Sequence, residues 1–154
     1  MEYLIVKWLH ILSSTFLFGT GIGSAFYMLF TSLQRDVRAI AVVSRFVVLA
    51  DWLFTTTTGI IQPATGLYLI HLAGYPLTSK WIVWSAILYV FAGACWLPVV
   101  WMQIKMRDMA QAAVRAGAEL PALYWRYLRY WVMLGIPAFF ALVFIYWLMV
   151  SKPM

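Results

Sequence analysis

Two side chains able to carry a proton or hold a metal sit inside long apolar runs of this sequence. They are His10, in KWLHILSSTFLFGTGIGS (residues 7–24), and Asp51, in ADWLFTTTTGIIQPATG (residues 50–66). A histidine in such a setting has three chemical uses. It can hydrogen-bond across helices as structural glue, relay protons, or ligate haem or a metal ion through a neutral ring nitrogen. Asp51 has two: an ion pair with Arg126 or Arg129, or a proton-relay carboxylate leading through Thr55 and Thr58 to Gln62. His71 is the obvious second ligand beside His10. It lies about 200° around its helix from Asp51, however, which places it at an interface and off the polar side. Cys95, the sole cysteine, has no partner for an internal disulfide and no Cys cluster around it, so it reads as a small packing residue.

The elements that position these residues follow from composition. Of 154 residues, 65% are hydrophobic and 10% charged, more apolar surface than a water-soluble domain of this length can bury. Four segments, about 4–30, 46–71, 81–103 and 128–150, are long enough to span the roughly 30 Å hydrocarbon layer. They lack the alternation of barrel strands, and backbone groups in lipid must pair within the segment, so they read as helices. The expected fold is all-α: one domain over residues 1–154, an antiparallel bundle of four transmembrane helices. The first segment is too long for a signal peptide and lacks a small-residue cleavage site, so it is expected to remain as a helix.

The net charge of +6 is unevenly spread. Arg35, Arg38, Arg45, Lys105, Arg107, Arg115, Arg126 and Arg129 fall in or beside the first and third connections, whereas Lys7, Lys80 and Lys152 mark the other side. The positive-inside rule then puts those two connections in the cytoplasm and both termini outside. Anionic headgroups account for the basic clusters, and no nucleic-acid partner is implied. Gly74 and Pro76 give a tight turn in HLAGYPLTSK, while the third helix is expected to run on towards Gly117 and restart after Pro121. Tyr3, Trp8, Trp81, Trp84, Tyr124, Trp125, Tyr127, Tyr130 and Trp131 mark an interfacial aromatic belt.

Polar stripes show which faces meet protein rather than lipid. At 100° per residue, one stripe carries His10, Ser13, Ser14, Leu17, Gly21, Ser24 and Met28. A second carries Asp51, Thr55, Thr58, Gln62, Thr65 and Gly66, and a third Ser85, Tyr89, Ala92, Trp96, Val99 and Gln103. In the fourth helix the smaller or adaptable positions Gly135, Ala138 and Met149 share a side with Trp131, and the four stripes can meet in one lumen. His10 and Ser85 each lie about one turn inside a boundary lysine, at similar height. Gly19 and Gly23 form GxxxG, a close-packing motif on a different side of the first helix from His10. The favoured reading is a contact within the bundle; the other is a homodimer through Gly19 and Gly23.

The pattern KWLHILSSTFLFG, with PATGLYLI, WIVWSAILYV and RYWVMLGIPAFFALVFIYWLMVSKP in order, resembles the HemJ-type protoporphyrinogen oxidases. GTGIGSAFY, WLPVVWMQ and the terminal LMVSKP resemble more closely a bacterial family of predicted integral membrane proteins, domain of unknown function 2269. The HemJ resemblance implies haem b in the bundle, with His10 in the place of the axial ligand. The Lys proposed as partner ligand in that family corresponds here to Ser85, a poor iron ligand, so the family's redox reaction does not transfer directly. On this reading Ser13, Ser14, Ser85, Tyr89 and Trp96 shape the pocket, and quinone or porphyrin is the redox partner in a bacterial inner membrane. The alternative is a non-catalytic four-helix protein acting as a partner-binding or assembly subunit among membrane lipids. A proton channel through Asp51, Gln62 and His10 is a third.

Overall fold

A computed structural model describes residues 1–153. It is all-helical in its regular structure: α1 (Glu2–Leu33), α2 (Val37–Ala50), a π-helical turn (Asp51–Thr55), α3 (Thr56–Ala73), α4 (Lys80–Ala116) and α5 (Ala122–Ser151). Helices α1, α4 and α5 are each long and apolar enough to cross a membrane. Right-handed helical dihedrals continue through Asp51 and Thr56. Residues 37–73 therefore form one rod, roughly 55 Å long at 1.5 Å per residue.

The rod starts well before residue 46, where the apolar run begins. Asp36 is the reason: its carboxylate accepts from the backbone N–H groups of Arg38 (2.9 Å) and Ala39 (3.1 Å), capping the orphan donors of the first turn. The other turns are set by backbone conformation. Gly74 (φ 68°) and Gly117 (φ 61°) adopt the left-handed region that ends α3 and α4. Pro121 then precedes α5.

Contacts along the rods run in opposite directions. His10 meets Thr65 and Ser32 meets Tyr124; Tyr89 meets Gly59 and Tyr146 meets Ser14. Four rods thus stand antiparallel in cyclic order α1, α2–α3, α4, α5. The closest packing is of α4 with α5, α2 with α4, and α1 with α3.

The core is concentrated at the ends. At the arginine-rich end, Met28, Ile40, Val47, Met102, Met106, Ala110, Tyr124, Leu128 and Trp131 form the main cluster. The Tyr124 hydroxyl, fully buried, meets the Ser32 hydroxyl at 2.7 Å. At the other end a small cluster of Trp81, Ile82 and Leu148 takes in Ile70. Lys152 lies over the rings of Tyr75 (5.0 Å) and Trp81 (5.7 Å), tying the end of α5 to that end of the bundle.

Two expectations are corrected here. Trp131, Tyr124 and Trp81 are buried and do not belong to a lipid-facing belt; they face neighbouring rods. A Cβ placed on Gly19 or Gly23 meets nothing within 4 Å, so the GxxxG pair makes no helix contact within the chain. The rods pack against other faces of α1.

Candidate functional site

The structure separates the residues expected to form one pocket into two places. The first is a polar lock between α1 and α3. His10 Nδ1 lies 2.8 Å from Thr65 Oγ1, and His10 Nε2 lies 3.1 Å from Gln62 Nε2. The network assigns the proton. Thr65 already donates to the Ile61 carbonyl at 2.8 Å, so Nδ1–H donates to Thr65 and Nε2 accepts from the Gln62 amide. Ser13 donates to Gln62 Oε1 and stands 3.0 Å from its other acceptor, the His10 carbonyl. Every polar atom of the imidazole and of the facing amide oxygen is engaged.

Gly66 makes the lock possible. A Cβ there would stand 3.2 Å from His10 Cε1 and 3.8 Å from Nδ1, so the ring packs directly on helix backbone. Gly66→Ala is expected to push the ring off Gln62 and Thr65 and cost about 1–2 kcal/mol. Gly19→Ala and Gly23→Ala, which meet open space, are expected to be neutral or stabilising. Thermal melts of the three purified variants check the contrast.

The remaining candidates do other work. Ser14 donates to the Ile11 carbonyl at 2.7 Å, and its own carbonyl accepts from Tyr146 at 2.9 Å. Ser85 is buried and donates to the Trp81 carbonyl of its own helix at 2.6 Å. His71 is exposed. Tyr89 solves a backbone problem. Pro63 has no N–H for the Gly59 carbonyl one turn earlier, and the Tyr89 hydroxyl donates to that carbonyl at 2.5 Å.

The second place is a cavity of about 860 Å³ in the middle of the bundle, away from His10. Tyr89 and Trp96 line it, with Leu17, Phe18 and Phe139. One glycine from each rod faces it: Gly21, Gly59, Gly93 and Gly135. A Cβ on Gly21, Gly93 or Gly135 meets nothing within 4 Å. These glycines do not serve close helix packing; they keep the centre hollow. A mid-helix glycine costs about 0.8–1.0 kcal/mol relative to alanine, so the hollow is held open against local helix stability.

One end of the cavity is polar. Asp51 is buried there, and its Oδ1 accepts from Thr55 at 2.9 Å. Gln103 on α4 approaches the same carboxyl group. The expected ion pair with Arg126 or Arg129 is absent: the ion pair among the described residues is Arg107–Asp108, at the surface. Both arginines are exposed, because α5 turns Leu128 and Trp131 inward instead. The π turn begins at Asp51 and admits one extra residue per turn, a feature common at functional sites. Threonine hydroxyls satisfy the disturbed backbone: Thr56 donates to the Asp51 carbonyl (2.9 Å), Thr57 to Leu53 (2.5 Å) and Thr58 to Phe54 (2.5 Å). Two atoms at this end are left without partners, Gln103 Oε1 and Trp131 Nε1.

The residues present do not fit a haem b. Neither imidazole nitrogen of His10 is free, Ser85 is turned into its own helix, and the cavity wall carries no His, Cys, Met or Lys. No cluster of three or more His, Cys, Asp or Glu side chains suited to a metal ion occurs among the described residues.

The model of a family described as "Predicted integral membrane protein (DUF2269)" matches residues 4–153, so the chain belongs to that family and is an integral membrane protein. No curated protein and no solved structure matches it.

Proposed function

We propose that the chain is a binding protein for a lipid-soluble small molecule, which it holds in the central cavity between its rods. The carrying observation is the cavity itself: apolar along most of its wall, hollowed by a glycine from each rod, and polar at one end. This is the usual make-up of a small-molecule site, an apolar concavity with a few convergent polar groups. On this reading all four rods cross a bacterial cytoplasmic membrane, residues 37–73 included, with the arginine-rich end inside and both termini outside.

The access route is sideways. Ile22 and Phe26 of α1 and Ile136, Phe139 and Phe140 of α5 line the cavity and are also exposed, as are Ile60 of α3 and Leu97 of α4. The two core clusters pack towards the two ends of the bundle. A molecule dissolved among acyl chains reaches the cavity between α1 and α5, where the Phe18–Phe139 stack (5.5 Å between centroids) bridges the helices.

Native mass spectrometry of the protein released from micelles tests the reading. The expected spectrum shows one lipophilic adduct per chain that survives detergent exchange. Bare protein, after purification from membranes and again after incubation with total membrane lipid, would overturn it.

A further inference from the structure

The polar end of the cavity narrows what its occupant carries, and the argument rests on the cavity reading above. Trp131 and Gln103 are 5% and 3% exposed. Both line the cavity, and each keeps a buried atom without a partner, the indole N–H and the amide Oε1. Buried polar atoms are nearly always paired in native proteins, so one unmade donor and one unmade acceptor on two residues of the same cavity wall point to a missing group. Asp51 stands at this end as well, paired with no cation among the described residues.

Three kinds of polar head can be compared. A carboxylate or phosphate places a second negative charge beside Asp51 and gives Gln103 Oε1 no donor. An ammonium head serves Asp51 and Gln103 but cannot accept from the indole. A hydroxyl accepts from Trp131 and donates to Gln103, completing both with no net charge. We infer that the cavity binds an uncharged, hydroxyl-headed amphiphile, its O–H at the Trp131–Gln103 end and its hydrocarbon or ring body along Phe18, Trp96 and Phe139.

The test uses the full chain in nanodiscs and five probes: hexadecanol, 4-dodecylphenol, hexadecyl methyl ether, hexadecylamine and palmitate. Hexadecanol or the phenol is expected to bind about tenfold tighter than the ether, the worth of one donated hydrogen bond in a dry site. Whichever of the two binds tighter identifies a chain alcohol or a ring-borne hydroxyl as the natural source. Gln103→Leu is expected to remove that advantage and leave the ether unchanged, because the ether donates nothing. Trp131→Phe is expected to weaken alcohol and ether alike, because both accept. Trp131→Phe deletes an unpartnered buried polar atom, so its melting temperature should hold or rise; Gln103→Leu also removes the amide beside Asp51, and its unchanged affinity for the ether is what separates lost recognition from lost folding. Tightest binding by the amine or by palmitate, blocked by Gly93→Phe, would overturn the inference while leaving the cavity reading intact. Binding of every probe undisturbed by Gly93→Phe would overturn both.

Discussion

Gly93→Phe is expected to abolish retention of the lipophilic adduct while leaving the protein folded. Position 93 lies on α4 at the cavity wall, and a Cβ there meets no atom within 4 Å. A phenyl ring can therefore occupy the hollow without displacing neighbours. Removing a mid-helix glycine also relieves a local penalty, so stability is expected to hold or rise by up to about 1 kcal/mol. Gly135→Phe, from the facing helix α5, should act the same way. Native mass spectrometry beside a thermal melt reads both quantities. An adduct retained at wild-type stoichiometry in both variants would show that the molecule binds elsewhere.

The second large effect is at the polar lock. His10→Ala removes both inter-helix bonds of the imidazole and leaves the Gln62 amide N–H without its acceptor. The expected loss is about 2 kcal/mol, read by denaturant unfolding in micelles. His10→Ala is expected to leave the cavity adduct in place, since His10 is not among the residues lining that space. Wild-type protein from haem-supplemented cells is expected to show no Soret band. A Soret band that His10→Ala diminishes would show that the imidazole abandons Gln62 for iron.

Periodicity carried the sequence reading a long way on α1 and α3. The stripe holding His10 and Ser13 does meet the one holding Gln62 and Thr65, because polar atoms inside an apolar chain have few places to pair. Three features were less legible. The π turn adds a residue to the helical period and leaves only the Thr55–Thr58 run as a trace, which also reads as ordinary back-bonding. The beginning of the second rod was masked because its first turns are amphipathic and basic, although Asp36 followed two and three residues later by free N–H groups was a capping signal. The hollow was hidden in the glycines. Gly21 and Gly135 fall on inward sides, but Gly59 and Gly93 look like scattered small residues along the chain, and the shared role of all four exists only once the rods bring them around one cavity. For the same reason Tyr89 and Trp96 were assigned to the histidine's surroundings, whereas α4 directs them to a different space. Trp131 carried two readings, an interfacial anchor by its amphipathic indole and a place on the inward side of the last helix with Gly135 and Ala138, and the second is the one the structure takes.

The side windows change what concentration means for this protein. With a packed core cluster towards each end of the bundle, the proposed occupant arrives from the acyl-chain phase, so its occupancy is expected to follow the mole fraction of ligand in the bilayer, not its molarity in water. Diluting a proteoliposome sample with buffer should leave the bound fraction nearly constant for a strongly partitioning compound. Fusing in empty vesicles at constant volume should lower it in proportion to added lipid, so membrane composition itself becomes the variable to which the protein responds.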